Sequence, residues 1–499
     1  MFTLSKTKPK ILFVASEAAP FVKIGGLGEV MYSLPKALRE LKYDARVMIP
    51  KYATIDSEKF PFKLEMKEIR PYQGGSDPYN LLVSNVLRYD NSDGQTVAYF
   101  LENAEYYEKR ANVYGYSDDT ARWVLLSKGV LEFVKRSKWK PDIIVAADWQ
   151  TGFIPNLLKT DYQDDPEMSR IKVIFSIHNL KYQGLFDQEC VSEMDFDSGQ
   201  SLIPDFFDEK LLKLSGMRRG IMYADLINTV SPAYSKEILS PEFGEKLDEL
   251  LTERRSALFG ILNGIDTKSW NPATDADIAS NYSVNDLEKR LENKLALQEN
   301  FSLPKDKNRF VVGIISRMDE QKGFNLIIEI IDSLVRNIDF QLVVVGTGDS
   351  KYRNFFQGLQ KTYPDRVAGH FIFDSKLTKM ILAGSDSILI PSRFEPCGLV
   401  QLEAMRYGAI PIVRKTGGLA DSVEDYVSGH DKGTGFVFEK FDKYALLIAI
   451  VRASETYKNK KEWSELIKRA MAADFSWKKS AKEYAKLFAF ALNSKQKES

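Results

Sequence analysis

The sequence predicts an α/β protein of two doubly wound domains, and three observations carry that expectation. Short apolar runs followed by helix-period segments recur along all 499 residues, they fall into two series, and a polar, helix-prone stretch without a strand-like run, residues 271–303, separates the series. In the first series, residues 10–16 (KILFVAS) read as a buried strand, a Gly-Gly-Leu-Gly turn follows, and residues 29–41 carry helical apolar spacing. Further strands are predicted at 44–49, 96–101, 142–147, 172–177 and 225–230. The second series begins at 309–316 (RFVVGIIS) and continues at 340–346, 367–373, 385–391 and 409–413. A junction is expected within 255–275, giving domains 1–258 and 259–474. In such folds ligands bind beyond the carboxyl ends of the strands, so chemistry is sought in the loops that follow them.

Composition narrows the function classes. Lys and Arg total 69 and Asp and Glu total 69, so no net positive field exists to hold nucleic acid or an anionic membrane surface. Two cysteines, Cys190 and Cys397, make no disulfide framework, and a cytoplasmic location is expected. The apolar run at 11–15 is shorter than a signal-peptide core, and no run reaches the ~20 apolar residues of a membrane span.

Several strand-end segments carry candidate chemistry. Lys23, Gly25, Gly26 and Gly28 lie between a strand and a helix, where backbone N–H groups and the positive end of the helix dipole can receive an anion. The turn lacks the G-x-G-x-x-G order of a dinucleotide fingerprint. Arg317 and Lys322, in SRMDEQKG, can aim at one pyrophosphate, the first as a fork and the second as a point charge. Thr416, Gly417 and Gly418 form another glycine turn whose N–H groups are expected to hold the same phosphates. In PSRFEPCGL, Glu395 sits between a strand end and Pro396, and Glu403 is placed on the next helix, a spacing suited to the sugar and ribose of one donor. Asp148 with Trp149, and His178 with Asn179, end two further strands; fixed polar groups beside an aromatic ring suit carbohydrate. His370 and His430 read as structural. Three histidines and no paired-carboxylate pattern predict no metal site and no cofactor.

Taken in order, KIGGLG at 23–28, HNLKYQGLF at 178–186, TVSPAYSKEI at 229–238, NGID at 263–266, SRMDEQKG, PSRFEPCGL, TGGLAD and DFSW at 474–477 resemble the glycogen and starch synthases that use nucleotide glucose. The resemblance spans nearly the whole chain. It implies the GT-B plan: two Rossmann-like domains with a cleft between them, the second binding nucleotide sugar, and a C-terminal segment, 475–499, returning to the first. It also implies roles. Arg317 and Lys322 match the pair that neutralises the donor diphosphate, Glu395 the carboxylate that holds the transferred glucose, and His178 the histidine near its 6-hydroxyl. Lys23, Gly25 and Gly26 match the loop over the donor phosphates, and Phe373 falls where a tyrosine usually stacks on the base. Cys397, Gly398, Leu399, Glu403, Thr416, Gly417 and Gly418 belong to the same donor set. Asp148, Trp149, Glu29, Tyr114 and Asn179 match the acceptor side.

Departures from the family pattern are equally specific. Glu29 stands where aspartate is usual, Glu403 where Gln or Tyr is frequent, and the H-x-H-D-W pattern reads Val145-Ala146-Ala147-Asp148-Trp149. Loss of those histidines predicts weaker handling of the glucan end. The function implied is transfer of glucose from ADP-glucose to the non-reducing end of an α-1,4-glucan with retention of configuration. Competing readings are a UDP-glucose enzyme of the same fold, a phosphorylase, for which no pyridoxal-lysine motif is found, and a lapsed glucan-binding or regulatory protein. Retention of Lys23, Arg317, Lys322 and Glu395 argues against the last, since a binder needs no diphosphate clamp.

Overall fold

The computed structural model describes residues 8–71, 77, 79–91, 96–184, 202–372 and 374–493. The chain divides into two compact units, Met1–Ile261 together with Trp477–Ser499, and Leu262–Ser476.

In the first unit nine strands form one sheet: β1 (Lys10–Val14), β2 (Asp44–Pro50), β3 (Lys63–Ile69), β4 (Ser84–Asp90), β5 (Val97–Glu102), β6 (Ile143–Ala147), β7 (Lys172–Ile177), β8 (Leu226–Thr229) and β9 (Leu258–Gly260). Their order is β3-β4-β5-β2-β1-β6-β7-β8-β9. Pairing is parallel except where β4 runs antiparallel to β3 and β5. β1 and β6 are buried from Ile11 and Ile143 onward because helices cover both faces of a parallel sheet, which removes the need for polar alternation. The helix Gly26–Glu40 follows β1 and turns Leu27, Val30, Met31, Leu34 and Leu38 inward at helical spacing. The helix Trp477–Asn493 completes this core: Asn228 Nδ2 donates to the Tyr484 hydroxyl at 3.1 Å, and Phe488 meets Tyr43 edge to face.

The second unit holds a wholly parallel six-stranded sheet: β10 (Phe310–Ile315), β11 (Phe340–Val345), β12 (Val367–His370), β13 (Ser387–Ile390), β14 (Ile410–Arg414) and β15 (Phe436–Phe438), in the order β12-β11-β10-β13-β14-β15. Strand order reverses direction at β1/β6 in the first sheet and at β10/β13 in the second. A crevice opens beyond the strands at such a switch point, and the candidate residues follow these four strands and their neighbours β7 and β14. Two expectations shift: the strand expected at 367–373 ends at His370, and β3, β4, β9 and β15 were not among the predicted strands. Phe373 lies outside the described residues.

Candidate active site

After β1 the chain makes a loop anchored by Phe21, whose ring packs edge to face on Phe60 and Phe100. Past that anchor, Ile24 exposes its side chain while the amides of Ile24 and Gly25 both donate to Oε2 of Glu17, the latter at 3.1 Å. Glu17 is buried, and burial raises its carboxyl pKa against the lowering effect of those two amides, Tyr114 and Lys23. Tyr114 donates to Glu17 Oε1 at 3.3 Å and shares a hydrogen bond with Ser16 Oγ at 2.8 Å. Lys23 Nζ pairs with Glu29 Oε2 at 2.9 Å, and Ser33 donates to the other oxygen of Glu29 at 2.8 Å. The longer arm that departs from the family pattern is thus held by a residue one helical turn further on.

Asp148 ends β6 with φ of 56° and ψ of −178°, a backbone conformation that costs a non-glycine residue about 1–3 kcal/mol. The turn brings its Oδ1 within 2.7 Å of the His178 N–H at the end of β7. Burial, with a smaller push from the charge of Glu17, raises Asp148 to about 7 despite the amides of His178 and Asn179. His178 is pushed down to about 4 by burial, so its ring is neutral at physiological pH, and its Nε2 lies 3.1 Å from Ser176 Oγ. Asn179 accepts from the Lys181 amide at 3.1 Å. Ser16, Glu17, Tyr114, Asp148 and His178 therefore form one polar cluster past the carboxyl ends of β1, β6 and β7.

One expectation on this side is corrected. Trp149 does not offer a ring face to carbohydrate: only 6% exposed, it packs edge to face on Trp123 and against Gly184. Val145 and Ala147 are at most 1% exposed inside the sheet.

In the second unit, Lys322 Nζ lies 2.6 Å from Glu395 Oε2, which also accepts from Ser392 Oγ at 2.9 Å. Both partners are largely removed from solvent, and each compensates the other's charge. Asp319 links the two cations of SRMDEQKG, accepting from the Lys322 amide at 3.0 Å and pairing with Arg317 at 3.5 Å. Arg317 is the more exposed of the two. The turn after β14 buttresses this group: a Cβ at Gly417, where φ is +43°, would lie 2.0 Å from the Glu395 carbonyl, and one at Gly418 would lie 1.9 Å from that of Cys397. The Gly418 amide donates to the carbonyls of Glu395 and Pro396, which corrects the expectation that it meets a phosphate. Cys397 is buried and its thiol is pushed up to about 12, with Asn263 hydrogen-bonded to it. Gly398 takes φ of +70° before Leu399, which begins the helix Val400–Arg406 carrying the buried Glu403. Thr416 is also buried. Sequence reasoning missed Glu17, Ser16 and Ser392 as members of these clusters. An acidic residue set in an otherwise apolar strand end, VASEAAP, was the available sign of the first.

Residues 10–253 match the starch synthase catalytic domain family and residues 297–470 match glycosyl transferases group 1. A glycogen synthase of Clostridium novyi (strain NT) is 42% identical over 97% of this chain and 99% of its own length. The chain belongs to the glycogen and starch synthase family. A glycogen synthase of Thermotoga maritima, also 42% identical, covers the same shares of both chains. Among solved structures, the catalytic domain of Arabidopsis thaliana starch synthase IV, bound to ADP and acarbose, superposes with a TM-score of 0.84 at 30% identity, covering 98% of this chain and 100% of that one. A sucrose-phosphate synthase from Thermosynechococcus elongatus, at 17% identity, TM-score 0.58 and coverage of 97% and 99%, shares the fold. Like other members of the glycogen and starch synthase family, the chain is a glycosyltransferase with the two Rossmann-like sheets of the GT-B fold.

Proposed function

We propose that this enzyme transfers glucose from ADP-glucose to the non-reducing end of an α-1,4-glucan, retaining the anomeric configuration. The observation that carries the reading is the Lys322–Glu395 pair, placed with Arg317 at the switch point of the second sheet. A relative that binds ADP and acarbose with the same fold supports the choice of donor and acceptor. The second unit serves as the nucleotide-sugar side and the first as the acceptor side.

As the bond between glucose and phosphate stretches, negative charge grows on the diphosphate and positive charge on the sugar ring. Arg317 and Lys322 stabilise the former, Glu395 holds the sugar, and the Lys23 turn contributes the backbone amide of Gly26 to the phosphates, with Gly25 keeping the approach clear of side chains. A neutral His178 hydrogen-bonds the 6-hydroxyl without placing a second cation beside an electron-poor ring. The acceptor 4-hydroxyl gives its proton to the departing phosphate, so the bond from O4 to the anomeric carbon forms as the bond to phosphate breaks. Asp148, Tyr114, Asn179 and Glu29 order the glucan end. Catalysis proceeds in the cytoplasm, where donor and glucan are both in solution.

Purified protein given labelled ADP-glucose or UDP-glucose with glycogen tests the reading. Faster incorporation from ADP-glucose is expected; equal or faster turnover of UDP-glucose reverses the donor assignment, and no incorporation from either favours a lapsed binder.

A further inference from the structure

The glycine turn of the first unit holds a carboxyl group of its own. Glu17 reaches from the end of β1 and takes the two backbone amides that immediately precede the helix Gly26–Glu40, while its second oxygen is held by Tyr114. Its position is set on every side: Tyr114 is tied to Ser16, the Ser16 carbonyl accepts from Tyr52 at 2.7 Å, and the Ala19 amide is bound to the Gly28 carbonyl at 2.9 Å. No side chain caps the helix itself, and the amides of its first turn have no intrahelical acceptors.

Three glycines in four positions give this turn many conformations in isolation, and ordering it at the moment of binding would subtract from affinity. A buried acceptor that already fixes two of its amides removes that loss. We infer that Glu17 is a positioning residue: by occupying the Ile24 and Gly25 amides it holds the turn in the form whose next amides, those of Gly26 and Leu27, receive a donor phosphate. The inference rests on the reading above that the Lys23 turn binds the donor. What it adds is that the acceptor oxygen of Glu17, rather than its negative charge, is what the site uses.

Two substitutions separate these. Glu17→Gln keeps an oxygen at the same reach and discards the charge; Glu17→Asp keeps the charge and withdraws the oxygen by one methylene. Steady-state kinetics on the full chain, with ADP binding by calorimetry, are expected to show donor KM and ADP affinity within about threefold of the parent for Gln, and weakened about tenfold or more for Asp, the worth of the two amide hydrogen bonds that hold the turn. The opposite order overturns the proposal, as does a fall in kcat with donor KM and ADP affinity unmoved, which a merely structural role would produce. Should the Asp variant not fold, the Gln variant decides alone: a tenfold rise in its donor KM overturns the proposal. Lys23→Ala serves as the reference. Weakened ADP binding there beside an unaffected Asp variant removes Glu17 only, whereas unaffected binding in Lys23→Ala removes the turn from the donor site and the inference with it.

Discussion

Two glycine turns, one in each unit, look alike in sequence and are used in opposite ways. At Gly417 and Gly418 the glycines are imposed by neighbouring backbone, since a Cβ at either would fall about 2 Å from a carbonyl oxygen of the Glu395–Cys397 segment. At Gly26 a Cβ would find no heavy atom within 4 Å, and at Gly25 only Glu17 Oε1 at 3.7 Å. The first turn is a wedge that sets the height of Glu395. On the proposed function, the open positions at Gly25 and Gly26 are kept clear for the donor phosphate. A strand–turn–helix with two glycines therefore does not declare its purpose; the distance to the nearest backbone does.

Gly417→Ala tests the wedge and carries the largest effect. Strain and a displaced Glu395 should lower Tm by about 5 °C or more and kcat by on the order of a hundredfold; a variant with parental Tm and kcat would dissolve the contrast. Glu395→Gln separates scaffold from chemistry. It should keep Tm near the parent and lower kcat by on the order of a hundredfold, with donor binding less affected, because the charge counts most in the transition state. An unchanged rate would take Glu395 out of the reaction. Gly26→Ala is the matching change in the first unit: Tm within about 1 °C, and donor KM raised by a few-fold to about tenfold if one phosphate hydrogen bond is lost. A large fall in Tm there would make both turns structural.

The smallest effect concerns titration, since buried groups with large shifts gather in the first unit's cluster. Asp148 is raised to about 7 from an ordinary ~3.9, so the fold holds its proton more tightly than the unfolded chain, and its stabilising contribution at low pH is lost as pH rises towards 7. His178, depressed to about 4 from ~6.5, acts in the other direction: its contribution is present above ~6.5 and lost as pH falls towards 4. Asp148→Asn keeps the acceptor for the His178 amide, so its Tm advantage over the parent should widen from pH 5 to pH 8. A constant difference would show that the carboxylate is not held in a low-dielectric site.

Much of this was legible in the sequence because parallel strands covered on both faces are continuous apolar runs. β3 was not, since Lys63–Ile69 buries only Ile69 and reads as a charged loop. β15, with three residues, is too short to form a run. Within the site, Lys322 and Glu395 were nameable from motifs, but that they meet each other depends on β10 and β13 being neighbours, a non-local fact. The substitutions at Val145 and Ala147 read as a change in acceptor handling. Both positions are buried in the sheet beside Asp148, where a polar ring without a partner carries a penalty.

The helix Trp477–Asn493 belongs to the first unit although the whole of the second is encoded before it. On the ribosome, the first unit must therefore wait, its groove for Tyr484 and Phe488 empty beside Tyr43 and Asn228, until the other unit has been translated. A fragment stopping near residue 261 would expose that groove and favour aggregation. A circular permutant that begins with 477–493 and runs on into β1 would let the first unit finish folding while the second is still being made.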